Sequence, residues 1–318
     1  TTMMEAFTAD ELAHFVGGQG KGRPQYRVLE KADIEQLIEW FAAAAARAQA
    51  AGFDGVEIHA GHSYILAGFL SPYYNQRDDE YGGPLDNRAR LLLETIRAVR
   101  QRVGADFPLW VRLDGEELRT EGGITTADAI ATAGLAVQAG VDAVSVSAYA
   151  ALSTGVAFTE APLVHEPGAL AGYATEVKKQ VQVPVIAVGR ISPEMGDEGI
   201  RHGHYDFVAM ARKLLADPEL PNKLAQGQRK QVRPCIYCYV CVSQIFINER
   251  VKCAVNPQVG HEYEWPIEPA AQPRRVLVVG GGPGGMEAAR VAALRGHRVT
   301  LVERSTHLGG TLFFAGLA

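Results

Sequence analysis

The chain holds four cysteines, Cys235, Cys238, Cys241 and Cys253, spaced Cys-x2-Cys-x2-Cys-x11-Cys. Three sulfurs two residues apart can wrap three corners of an iron–sulfur cubane, and a fourth from farther along closes the last corner. The run PCIYCYVC has neither strand alternation nor a helical apolar stripe, so the expectation is a loop folded around a [4Fe-4S] cluster. Zinc favours separated Cys-x2-Cys knuckles or histidine ligands, and here the third cysteine follows the second too closely for two independent knuckles. Disulfides are rare inside cells, and with no leader in view the expected location is the cytoplasm. A cluster that moves single electrons calls for redox cofactors nearby.

A second group stands far upstream. His59, His62 and Tyr64 fall within six residues. Two imidazole N–H groups can hold one substrate oxygen and stabilise an enolate, and an adjacent phenol can deliver a proton. A pair of satisfied core histidines is the plain alternative for either one alone.

A third motif closes the chain. Gly280, Gly282 and Gly285 form G-x-G-x-x-G after the apolar run Arg275–Val279, ahead of a helix-patterned stretch, and the next apolar run ends in Glu303. In this setting the glycines serve a tight turn, close approach of backbone to a pyrophosphate, and helix–strand packing. Glu303 is placed to hold ribose hydroxyls. FAD, NAD and ADP all remain open as the nucleotide.

These groups need a scaffold, and the chain supplies a rhythm. Helix-patterned stretches lead into short apolar runs: 32–51 into 55–59, 86–103 into 109–113, 126–139 into 143–147, 168–181 into 184–189, and a short helix after Pro193 into 207–211. Repeated helix-then-strand units imply a parallel sheet with both faces covered. Polar residues gather at the strand ends: His59, Arg112, Ser147, Arg190 and Arg212. A (β/α)8 barrel keeps its active site there, and no topological switch points to an open doubly wound sheet instead. The fold class is therefore α/β: the last five βα units of a barrel over 1–230, a cluster segment and linker over 231–272, and the start of a Rossmann-like FAD- or NAD(P)-binding domain over 273–318. Three further units of about 30 residues each would complete the barrel. The stretch 17–23 is glycine- and lysine-rich loop.

Of 318 residues, 47% are hydrophobic, 21% are charged, and the net charge is −5 without long runs. That balance gives a substantial core and argues against nucleic acid or an anionic membrane as partner. No apolar run reaches the ~18 residues of a membrane span. The expected partner is a small molecule, and a homo-oligomer is compatible with everything above.

The motifs AGFDGVEIHAGHSY, FLSP, the 77–90 run with YGG and DNRAR, WVRL, PVIAVGRI and FVAMARKLLADP together resemble the Old Yellow Enzyme family of FMN-dependent oxidoreductases. With the cysteine spacing and glycine fingerprint behind them, the chain is similar to that family's iron–sulfur branch from about Asp33 to Ala318. The resemblance implies FMN, a [4Fe-4S] cluster, FAD or ADP, and NAD(P)H as electron donor. It implies that His59 and His62 grip the substrate's electron-withdrawing oxygen and that Tyr64 protonates. It places Arg112 against the flavin N1–C2 edge, and Gly189, Arg190, Ala211 and Arg212 around the FMN phosphate. Lys213 departs from the family's usual proline, and Asn87, Arg88 and Arg90 fit a loop-holding network. The implied activity is reduction of an activated alkene. An amine dehydrogenase of the trimethylamine dehydrogenase type is the rival, although its first catalytic position is tyrosine rather than His59, and the AYAALSTGVAF segment lacks its tryptophan and aspartate. A fragment serving only electron transfer is the third reading.

Overall fold

The structure, a computed structural model, describes residues 27–150, 166–246 and 249–312. The 17–23 loop and residues 151–158 of the segment weighed for amine chemistry lie outside these. Contacts divide the chain into a unit ending at Pro257 and a second beginning at Gln258.

The first unit is a parallel sheet of five strands in sequence order: β1 (Val56–Ala60), β2 (Leu109–Leu118), β3 (Ala143–Ala150), β4 (Val185–Val188) and β5 (Phe207–Ala209). Each strand follows a helix. Lys31–Ala50 starts with a capping box between Glu30 and Asp33, and Thr126–Ala139 starts with one between Thr125 and Asp128. The Thr125 cap is worth about 1 kcal/mol. The latter helix stops at Gly140, whose φ of 112° suits glycine and few other residues. Leu91, Leu92, Ile96 and Val99 on Arg90–Val103 pack with Val111, Val144 and Val185 of the strands, all essentially inaccessible. Among the described residues no helix is long and apolar enough to cross a membrane.

Three differences from the sequence expectations bear on the site. The expected helix 86–103 is split, because Leu85–Arg88 and Arg90–Val103 meet at Ala89. There Arg88 reaches back to Leu70 O and Gly83 O, while Arg90 holds Glu80 O and Asn87. The sheet is also not sealed on both faces. β2 and β4 alternate between buried and half-buried residues, and Glu57, Trp110 and Arg112 lie on the half-buried side. Charged groups tolerate that face because they pair: Trp110 Nε1 donates to Glu57 at 2.7 Å, and Arg112 Nε stands 3.1 Å from Glu57. Finally, β2 and β3 run on to Leu118 and Ala150 through a register shift between Asp114 and Glu117. A bulge re-aims side chains; here both carboxylates become buried, at 3% and 4% exposure.

In the second unit, β6 (Arg275–Val279) pairs in parallel with β7 (Arg298–Val302), joined by the Pro283–Leu294 helix. This is one βαβ crossover of the kind that opens a dinucleotide fold.

Candidate functional site

β1 ends at Ala60 and the chain turns sharply. His62 and Ser63 have φ of 59° and 60°, two successive non-glycine residues in the left-handed region. Such backbone is uncommon and persists only where surroundings hold it. The holder is Asp114, whose Oδ2 accepts the His62 backbone N–H at 2.6 Å. Gly61 permits this approach, since a Cβ there would meet Asp114 Oδ1 at 3.0 Å.

The turn gathers the three expected side chains. The His59 ring lies 4.9 Å from that of His62 and 5.3 Å from that of Tyr64. Tyr64 is 62% exposed, whereas His62 is mostly buried and its Nε2 stands 2.9 Å from Ser147 Oγ. Burial lowers the His62 pKa to about 3, helped by His59 and Arg112. Burial also lowers that of His59, with Arg112 second. Both rings are thus neutral near pH 7, and a neutral imidazole offers one N–H each.

His62 and Arg112 open into a cleft that is also bordered by Gly189, Arg190, Ala211 and Arg212. His59 and Tyr64 are not among its lining residues; they flank it through His62. Arg112, Arg190, Arg212 and Lys213 line it, and among the described residues no carboxylate does. Glu57 pairs with Arg112 and Glu194 lies within Coulombic reach of Lys213; the lining itself carries four cations, which favours an anion in the cleft. Gly189 and Arg190 both take positive φ, 116° and 53°, as the chain leaves β4. The donor set and shape fit a flavin phosphate and ring edge.

Cys235, Cys238, Cys241 and Cys253 border one smaller cavity together with Arg212 and Tyr237. The segment is not loop throughout: Cys241 belongs to the Val240–Phe246 helix. Tyr237 and Tyr239, at φ 54° and 64°, bend the chain on either side of Cys238. Burial raises the Cys241 thiol pKa, and Cys235 and Cys253 push the same way. Among the described residues no three metal-ligating side chains converge on a point that would hold a single ion. All four thiols border the same small space.

In the second unit Gly280 has φ 102° and its N–H donates to Val302 O. A Cβ on Gly285 would stand 1.9 Å from Gly280 O, while one on Gly282 would meet nothing within 4 Å. The third glycine is thus required by packing, and the second leaves open space before the helix. Glu303 Oε2 accepts Gly281 N–H at 2.6 Å and Oε1 accepts Ser305 N–H at 2.9 Å, which hold its pKa at about 2. Oε1 also accepts from Ser305 Oγ at 3.0 Å, so Oε2 is the oxygen that keeps a lone pair for a ligand hydroxyl.

The model of the NADH:flavin oxidoreductase / NADH oxidase family matches residues 6–231. The chain belongs to this family. Residues 275–318 match an FAD dependent oxidoreductase model. The chain is 42% identical over 292 residues to a metal reductase of Desulforamulus reducens, covering 90% of this chain and 43% of that protein. It is 39% identical over 310 residues to a cinnamate reductase of Clostridium sporogenes, covering 92% and 46%. The structure of a 2-naphthoyl-CoA reductase in complex with 2-naphthoyl-CoA superposes with a TM-score of 0.83 at 35% identity, covering 94% of this chain and 48% of that one. The chain thus spans less than half the length of these family members.

Five contributors escaped the sequence reading as site residues: Glu57, Asp114, Ser147, Lys213 and Tyr237. Ser147 and Lys213 stood out only as a strand-end polar residue and a departure from the family pattern. Tyr237 gave no signal, since nothing in PCIYCYVC foretells a left-handed tyrosine pressed against arginines.

Proposed function

We propose that the chain carries the alkene-reducing part of an NAD(P)H-dependent flavoenzyme acting on an activated C=C bond of the enoyl-CoA or enoate type. The observation that supports this reading best is the pairing of two neutral imidazoles and an exposed phenol beside a cationic cleft. His59 and His62 hold the carbonyl or carboxylate oxygen, and their N–H groups stabilise the charge that develops there. Tyr64 donates the proton to the α-carbon. Arg190 and Arg212 take the FMN phosphate with the backbone of Gly189 and Ala211, and Arg112 lies along the flavin edge. Bound FMN supplies the hydride for the β-carbon.

The remaining motifs belong to delivery of electrons from NAD(P)H. Cys235, Cys238, Cys241 and Cys253 are assigned to a [4Fe-4S] cluster. Gly280, Gly282, Gly285 and Glu303 are assigned to FAD or ADP. Domain limits of 1–230, 231–272 and 273–318 follow from these assignments.

The test is optical. The chain is loaded with FMN, bleached by photoreduction without oxygen, and mixed with an α,β-unsaturated carboxylate or thioester. Return of flavin absorbance supports the reading. A flavin that stays bleached with alkene, or one that an amine alone reduces, overturns it.

A further inference from the structure

Asp114 is a carboxylate with almost no access to solvent, yet it points at groups next to the histidine pair. Its Oδ1 lies 3.3 Å from Ser147 Oγ, and that oxygen lies 2.9 Å from His62 Nε2. Ser147 also lies 3.5 Å from Leu113 O, a weak alternative acceptor. His62 Nε2 is therefore committed to the relay, and any proton His62 offers a ligand comes from Nδ1. Position in the sheet enforces the contact, because Asp114 and Ser147 are register partners on β2 and β3.

We propose that Asp114, acting through Ser147, decides which ring nitrogen of His62 carries the proton, so that only the neutral acid leaves Nδ1–H free to donate. With Asp114 ionised, Ser147 O–H donates to Oδ1, and Ser147 Oγ accepts from His62 Nε2–H. Nδ1 is then a bare lone pair that repels a substrate oxygen. With Asp114 protonated, its O–H donates to Ser147 Oγ, Ser147 donates to Nε2, and the ring proton sits on Nδ1. One proton is taken up at Asp114, and the imidazole keeps the same number in both states. Both are positioning residues: neither needs to touch substrate.

The surroundings allow the acid to be neutral near pH 7. Burial raises the Asp114 pKa to about 7, Glu117 pushes the same way, and the His62 backbone N–H, Ser147 and Arg112 oppose. Tyr149 on β3 faces it as well. Asp128 and Thr132 of the Thr126–Ala139 helix face it across a small gap, where Asp128 is held by Arg88. The tautomer switch stands on these hydrogen bonds and on the titration of Asp114; only its consequence for alkene binding rests on the proposed function.

The experiment is ¹⁵N NMR of histidine-labelled full chain from pH 5.5 to 8.5 (buffer range), with His62 assigned by its loss in His62→Asn. The expected result is that Nδ1 changes from protonated to bare as pH rises, with the tautomer ratio moving about tenfold per unit around the Asp114 midpoint. In Asp114→Asn and in Ser147→Ala the ratio should lose its pH dependence. Either variant suffices if the other fails to fold. A pH-independent ratio in the parent chain, or a dependence that survives in the folded variants, overturns the proposal. A switch that appears as expected in a chain inert toward alkenes leaves this proposal standing and removes the functional one.

Discussion

The Tyr237 ring lies 4.5 Å from the Arg190 guanidinium, so a residue between two cysteines forms a wall of the cationic cleft. The Arg212 guanidinium also lies over that ring, and Lys213 Nζ donates to the Tyr237 hydroxyl at its edge. Tyr237 borders both cavities. The cysteine loop is thus clamped to the part of the first unit assigned to phosphate, and neither feature is independent of the other.

Tyr237→Leu should therefore weaken anion binding in the cleft although it removes no charge. Desolvated cation–π contacts are worth roughly 1–2 kcal/mol, which is about 5–30-fold in affinity. Quenching of FMN fluorescence on titration measures it. An unchanged dissociation constant would mean that the cations are held by other partners.

Tyr64→Phe separates proton delivery from every other step. The ring contact with His59 survives and only the hydroxyl is lost. Reduction of bound FMN should be unaffected, while its reoxidation by an alkene falls by roughly 10²–10⁴-fold. Stopped-flow absorbance reads both halves; equal reoxidation rates in parent and variant remove Tyr64 from the reaction.

The second and third glycines of the fingerprint should fail in different ways. Gly285→Ala drives a methyl into Gly280 O and should cost roughly 1–3 kcal/mol of stability by overpacking. Gly282→Ala meets open space and should fold normally. It should nevertheless lose ADP affinity if a pyrophosphate approaches there. Thermal unfolding and isothermal titration with ADP distinguish them; normal ADP binding by Gly282→Ala would make the motif a turn without a ligand.

How far the sequence carried depends on which physics each residue obeys. Strand cores such as Val111 and Val144 are legible because burial demands apolar side chains. His59, His62 and Tyr64 were legible through spacing at a strand end. Asp114 and Glu117 were not, because acids in a run such as LDGEEL ordinarily lie at the surface. Their burial follows from a bulge and from partners far along the chain: Ser71 and Ile124 for Glu117, His62 and Ser147 for Asp114. Lys213 and Tyr237 meet only because the cysteine segment folds back onto the chain after β5. Local pattern carries no record of such long-range pairings.

The same buried pair makes a prediction about stability and pH. Asp114 is more basic in the fold than its ordinary value of 3.8, rising to about 7, so its contribution is lost as pH climbs through that interval. His62 is less basic than its ordinary 6.5, falling to about 3, so its contribution is lost as pH drops through that interval. Between about pH 4 and 6.5 the unfolded chain holds a proton on His62 and the folded chain holds one on Asp114. The numbers match, and the two slopes cancel at about 1.4 kcal/mol per unit each. Asp114→Asn should expose the histidine slope, with stability rising with pH across this window relative to the parent. His62→Asn should expose the opposite slope. Urea unfolding at fixed pH values from 4 to 6.5 measures both, and an Asp114→Asn curve parallel to the parent would show that Asp114 stays ionised in the fold.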